Sequence, residues 1–297
     1  MLILHLSDLH VTEKNESLDG YWLNAQEPIK DLRFDFIIVS GDLTQRAAST
    51  EYNELIEFTH KQLLRFLKAS KKESEQQLVS RIVFVPGNHD VQWDADIGEP
   101  YRFSRIRGNS EAEKLRLLLS DHRKSPDQSP IRIALTDYGH VEVIDICDGI
   151  KYDRRFENFQ CFIDKFYEGA PADALRKKFE LTSRTQRNRK SHGSKEWSAH
   201  VFTEERIAFY GFNSCHRNDA HWNGANICLD AILSAKQHAE RLDPNITKVA
   251  VWHHGFASER GRPDALTLLD LGRLYNAGFR LGFHGHIHAS EAEEVEF

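Results

Sequence analysis

At 297 residues the chain has room for about two domains of roughly 150 residues each, or for one large α/β domain. Its 40% hydrophobic and 28% charged residues make an ordinary globular balance that excludes collagen-like, disordered and membrane-spanning classes. The net charge of −6 is too small to mark a tail for nucleic acid or acidic lipid.

In chain order, Leu2–Leu6 is predicted as a strand: the start has no basic leader and its apolar run breaks at Ser7. Phe36–Ser40 is a second strand. Ala48–Lys68 carries apolar residues at helical spacing, with Leu55, Phe58, Leu63 and Phe66 as core contacts. Arg81–Val85 is a third strand, ended by Pro86-Gly87. From 91 to 200 the patterning is less regular. Ile131–Leu135 and Val141–Ile146 suit a hairpin, and Arg155–Tyr167 a helix with an aromatic stripe (Phe156, Phe159, Phe162, Phe166) that reads as core. This stretch is expected to be an insertion or cap on the core. Arg206–Phe212 and Lys248–Trp252 are predicted strands flanking a helix over about 226–241, followed by a helix over 264–276 and a last strand at Phe279–Phe283. The alternation predicts an α/β fold.

No apolar run approaches the roughly 20 residues needed to cross a bilayer. Cys147, Cys161, Cys215 and Cys228 form no C-x-x-C pair, which argues against a disulfide framework or zinc knuckle. The expectation is a reduced, cytoplasmic protein without a membrane partner. The unusual feature is histidine, 16 in all, largely gathered in polar strings.

Five such strings follow predicted strands: Ser7-Asp8-Leu9-His10, Ser40-Gly41-Asp42-Leu43, Gly87-Asn88-His89-Asp90, Trp252-His253-His254-Gly255 and Gly285-His286-Ile287-His288. Each stands where a strand delivers its carboxyl end, the edge on which open α/β sheets place ligands. Each supplies Asp, Asn or His, and histidine is the commonest transition-metal ligand. Singly, such strings fit loops and helix caps; all five in order do not.

In these strings the sequence resembles the calcineurin-like metallophosphoesterase superfamily, over about residues 1–90 and 201–297. Phe209–Ser214 also looks like the strand that precedes the family's penultimate helix. The resemblance implies a four-layer α/β/β/α sandwich with two central mixed sheets, here one domain over 1–297 carrying a large insertion or cap at about 91–200. It implies two divalent metal ions, manganese first and iron or zinc next, since imidazole, carboxylate and amide donors suit these better than calcium or magnesium. Asp8, His10 and His288 would hold one ion, Asn88, His253 and His286 the other, and Asp42 would bridge both. His89 would be the general acid, with Asp90 orienting its ring, and a hydroxide between the metals the nucleophile. His254 is a candidate for substrate contact or for bracing a ligand.

The implied function is hydrolysis of a phosphate ester, with a phosphodiesterase, including a nuclease, favoured. The alternatives are a phosphomonoesterase of a protein, nucleotide or metabolite, and a non-catalytic scaffold of the same fold. Partners would be the phosphate-ester substrate, nucleotide or nucleic acid among the candidates. Residues 176–195 hold eight basic residues against one acid, Glu180, a net +7. That suits either a solvated loop or a patch for phosphate-rich substrate, in which Arg187, Arg189 and Lys190 would take part. Two departures stand out. Gly255 follows the paired histidines where the family often has proline, and only nine residues follow His288, which leaves open an additional downstream domain.

Overall fold

The computed structural model describes residues 1–13, 22–69, 73–93, 154–182, 195–216, 218, 224–256 and 264–286, and the backbone of 100–103, 131–135 and 141–145. β1 (Ile3–Leu6), β2 (Phe36–Ser40) and β3 (Ile82–Val85) form a sheet in that order, parallel throughout. The expected mixed sheet is thus all-parallel here among the described residues, because long crossovers and not hairpins join its strands. All five β2 residues and all four of β3 are buried, as a sheet covered on both faces requires.

Between β2 and β3 runs α1 (Ser49–Phe58), whose first turn is closed by the Glu51 carboxylate accepting from the Arg46 and Ala48 N–H groups. The predicted long helix widens after Phe58 into a π turn at Thr59–Leu63 and then tightens into a 3-10 turn at Leu64–Phe66, and its four expected core residues are buried. A short α2 (Glu75–Val79) leads into β3.

β4 (Pro100–Phe103), β5 (Ile131–Leu135) and β6 (Val141–Asp145) make a separate antiparallel sheet, including the expected pairing of β5 with β6. The remainder of the presumed insertion differs from expectation. α3 (Glu157–Phe166) buries Phe159, Phe162 and Phe166 in the main core. Phe162 and Phe166 meet Phe84 of β3 at 5.2 and 5.1 Å between ring centroids. β7 (Leu175–Lys177) and β8 (Trp197–Phe202) belong to the second main sheet. Irregular patterning hid these elements because β8 is buried on both faces and lacks the alternation of a half-exposed strand.

That second sheet is mixed, in the order β11-β10-β9-β8-β7. β9 (Ile207–Phe212), β10 (Thr247–Val251) and β11 (Leu281–Phe283) are parallel, while β8 and β7 run antiparallel. The two sheets pack face to face: Phe36 meets Phe202 at 4.6 Å and Phe209 at 5.1 Å. On the outer face of the second sheet, α4 (Leu229–Ala239) and α5 (Leu268–Asn276) bury Ala231, Ile232, Ala235 and Leu274 against Ala208, Tyr210 and Phe212. The layers are helix, sheet, sheet, helix. The carboxyl ends of the two parallel triplets each open into one of the polar strings or into Asn213-Ser214.

Candidate metal centre

The strings after β1 and β2 continue as a ladder. Asp8 and His10 donate their N–H groups to the Gly41 and Asp42 carbonyls at 3.1 and 3.0 Å, and Val11 to Leu43 at 3.0 Å. Across the other sheet, Gly285 donates to the His253 carbonyl at 2.8 Å. Asp8, His10, Asp42 and His286 all adopt positive φ, between 47° and 74°, a region non-glycine residues rarely occupy. Such strain gathers at functional sites, where the surrounding fold holds it. Glycine is required beside them: a Cβ on Gly41, itself at φ +91°, would stand 2.5 Å from the His253 ring, and one on Gly87 would stand 2.1 Å from the Asp42 nitrogen.

Asp42 is common to two groups, His10–Asp42–His89 and Asp42–His253–His286, in each of which the donor atoms lie within 4.8 Å of one another. The Asp42 carboxylate is buried. Burial pushes its pKa up, but the neighbouring His253 and the His89 amide outweigh that and hold it well below the usual carboxylate range. Its Oδ1 accepts from the His89 N–H at 2.8 Å and lies 3.3 Å from His253 Nε2, and its Oδ2 lies 3.9 Å from His10 Nε2.

His253 tests the fit of a cation. Its Nδ1 lies 2.9 Å from the Ser40 carbonyl and must donate to it, so a neutral ring turns a lone pair outward at Nε2. That lone pair meets Asn88 Oδ1 at 3.0 Å, His286 Nδ1 at 3.2 Å and Asp42 Oδ1 at 3.3 Å. The Asn88 and Asp42 oxygens are acceptors, so positive charge placed among these groups would be stabilised. The same demand appears in the pKa of His253: burial works against its charged form, yet the Asp42 charge raises it to about 9. For His286, burial and the nearby His253 move the pKa down. Its N–H donates to Asp8 Oδ2 at 3.1 Å, which ties the first string to the last. The donor set suits a divalent transition metal.

His10 and His89 stand edge to face at 4.7 Å. The His89 ring is held by the Gln45 carbonyl, 2.9 Å from Nδ1, which leaves Nε2 as its available atom. The expected orienting role of Asp90 is therefore corrected. Asp90 is fully buried and points away from that ring. Its Oδ2 accepts from the Gly87 and Leu43 N–H groups at 2.8 and 3.0 Å, and its Oδ1 from Tyr52 Oη, Thr44 N and Thr44 Oγ1 at 3.0, 3.2 and 3.2 Å. Burial and the nearby Asp42 charge raise its pKa to about 6 against the pull of these donors. It clamps the loops after β2 and β3 together.

His254 is also buried, with Nδ1 2.9 Å from Ser214 Oγ and its ring 4.9 Å from that of His286; this is a bracing position and not a substrate-facing one. Tyr52 and Ser214, which accepts from the His253 and His254 N–H groups at 3.2 Å each, lie outside the expected site. Ser214 had a signal, its place at the end of a strand string; Tyr52 had only its helical face. His288, Arg187, Arg189 and Lys190 lie outside the described residues. No helix among the described residues is long and apolar enough to cross a membrane.

Two parallel strand triplets that gather imidazole, amide and carboxylate donors around one shared aspartate make the frame of a metal-dependent hydrolase. The chain belongs to the calcineurin-like phosphoesterase family, whose model matches residues 1–290, and it is accordingly a metal-dependent hydrolase of phosphate esters with a dinuclear centre. No curated protein gave a significant match.

Proposed function

We propose that the protein is a two-metal phosphodiesterase whose substrate is a nucleotide or nucleic-acid diester. Asp8, His10, Asp42 and His288 would hold one ion and Asp42, Asn88, His253 and His286 the other, with manganese the first choice. The observation that carries this reading is the convergence of two donor groups on Asp42. When bound, the ions would supply Lewis-acid activation of water and offset charge on the phosphoryl oxygens. His89 supplies the proton. Its Nδ1 is engaged with Gln45, so a proton on Nε2 is the one free to pass to the departing ester oxygen. Its N–H bond to Asp42 keeps that atom at the rim of the centre.

The preference for a diester rests on charge. A monoester dianion is commonly gripped by guanidinium forks. Among the described residues, the contacts of the Asp42 carboxylate are with imidazole rings and a backbone N–H and not with a guanidinium or ammonium group. Part of the basic run is engaged locally: Lys177 lies 4.9 Å over the Trp197 ring and 3.7 Å from Glu180, and Lys195 pairs with Glu180 at 2.9 Å. Contact with the substrate backbone would fall to Arg187, Arg189 and Lys190.

The test compares mono- and bis-nitrophenyl phosphate with added manganese. Turnover should favour the diester, be lost in Asp42→Asn and fall strongly in His89→Ala. A clear monoester preference, or diesterase activity surviving in Asp42→Asn, would overturn the proposal.

A further inference from the structure

Two stretches far apart in sequence, at Gln92 and at Arg155, are joined. Gln92, two residues beyond Asp90, donates its N–H to the Arg155 carbonyl at 2.8 Å. The Arg155 side chain is 5% exposed, with its guanidinium 4.9 Å over the Phe156 ring. From there Nε donates to the Asn218 carbonyl at 2.9 Å and Nη2 to the His216 carbonyl. Both carbonyls belong to the turn after β9, which closes by the Asn218 N–H donating to Cys215 at 2.9 Å. One residue before that turn stands Ser214, whose hydroxyl receives the His253 and His254 N–H groups. Three residues beyond Arg155, the Asn158 amide donates to the Ala47 carbonyl at 2.8 Å, in the loop after β2.

Burying a guanidinium is unfavourable unless its donors are satisfied by fixed acceptors. Here the acceptors are main-chain carbonyls of one active-face loop, and the Arg155 main chain is bonded to another. One of those loops carries Asn88, and the other braces His253 through Ser214. Asn88 Oδ1 and His253 Nε2 stand 3.0 Å apart.

We propose that Arg155 is a positioning residue for the second metal group: by tying the His216 and Asn218 carbonyls to the loop after β3, it sets the spacing of Asn88 and His253. The inference rests on the two-metal reading above. Asn88 and His253 belong to the second group, while Asp42 is common to both, so the larger effect falls on the ion that Asn88 and His253 would hold. Groups that orient ligands from outside typically tune metal affinity by 10–100-fold.

The experiment is a calorimetric titration of metal-free protein with manganese, comparing wild type, Arg155→Lys, Arg155→Gln and, as a marker of the second step, His253→Gln. Wild type should bind two ions. The step abolished in His253→Gln should be the one weakened about 10–100-fold in both arginine variants, with the other step much less affected, while melting in chelator falls only by the cost of the lost hydrogen bonds. If wild type fails to bind two ions, the two-metal reading falls. If it binds two and both variants match it, the inference falls and that reading stands. Equal weakening of both steps indicates general loosening and also overturns the inference. Should neither variant fold, hydrogen exchange of wild type decides: the Gln92 and Asn218 amides must gain protection at the His253-dependent step, and unchanged exchange there refutes it.

Discussion

Replacing Asp90 with asparagine separates two roles for this carboxylate. If it clamps loops, the amide is nearly isosteric but keeps only one acceptor oxygen. The cheaper orientation abandons the Gly87 and Leu43 N–H groups, which now bond Oδ2 at 2.8 and 3.0 Å. Two buried donors without an acceptor cost about 2–6 kcal/mol. Against this, the carboxyl pKa displaced from 3.8 to about 6 reports that burying the charge is unfavourable by about 3 kcal/mol at neutral pH. The amide recovers that part. A net loss of about 1 kcal/mol is expected at pH 7.5, a melting point lower by roughly 2–3 °C. The sign with pH follows: a raised carboxyl pKa stabilises the fold most below the unfolded value, and that stability is lost as the pH rises through about 6. The gap between wild type and variant should therefore widen as the pH falls from 7.5 to 5. Manganese affinity should drop with stability, and the defect should add to that of His89→Ala in a double-mutant cycle. Were Asp90 instead to act by orienting the His89 ring, stability would hold and the kcat loss would vanish in the His89→Ala background. That result would refute the clamp.

Three further outcomes are expected. Tyr52→Phe removes one donor from Asp90 but keeps the 5.2 Å stack on Phe162, so stability should fall by about 1 kcal/mol, with a smaller loss of manganese affinity than in Asp90→Asn, both read from calorimetry. Gly87→Ala should abolish metal binding by driving a Cβ into Asp42, whereas Gly278→Ala, at φ +94° with open space around it, should cost about 1–2 kcal/mol and leave binding intact. His200, 1% exposed with Nδ1 on the Ser80 carbonyl, has its pKa lowered by burial from 6.5 to about 4. Its stabilisation is full above pH 6.5 and wanes as the pH falls toward 4, about 2 kcal/mol being lost by pH 5; urea midpoints of His200→Gln that still track wild type over this range would contradict it.

The strands that end in the site were legible because each is a short apolar run stopped by a polar string, as Phe36–Ser40 is by Gly41-Asp42. Their arrangement in two sheets was not in the pattern itself and came through resemblance. For the stretch after residue 150 the helix and its apolar stripe were legible, but what they pack on was not, for a physical reason. Phe159, Phe162 and Phe166 were read as core, yet nothing local in them says which core, and only the Phe84 contacts place α3 on the first sheet. The Asp90 error has a similar origin. Adjacency to His89 suggested a dyad, but successive residues in a tight 3-10 turn point in different directions, so the neighbour in sequence faces Tyr52 and Thr44 while a main-chain carbonyl takes the ring. Backbone acceptors leave no trace in residue identity.

The four strained residues give the centre a further property. Left-handed backbone costs a non-glycine residue roughly 1–2 kcal/mol, so Asp8, His10, Asp42 and His286 together store several kcal/mol in the folded chain. That cost is offset by ladder bonds such as Asp8 to Gly41 and His10 to Asp42 and by the Asp90 clamp behind them. The main chain beneath these donors is thus held by secondary structure. An acceptor cluster assembled in this way cannot relax its own repulsion by moving apart; it can only take up positive charge. The raised pKa of His253 expresses that pressure as an affinity for a proton, and a divalent ion, which carries twice the charge and bonds several donors at once, answers it more completely.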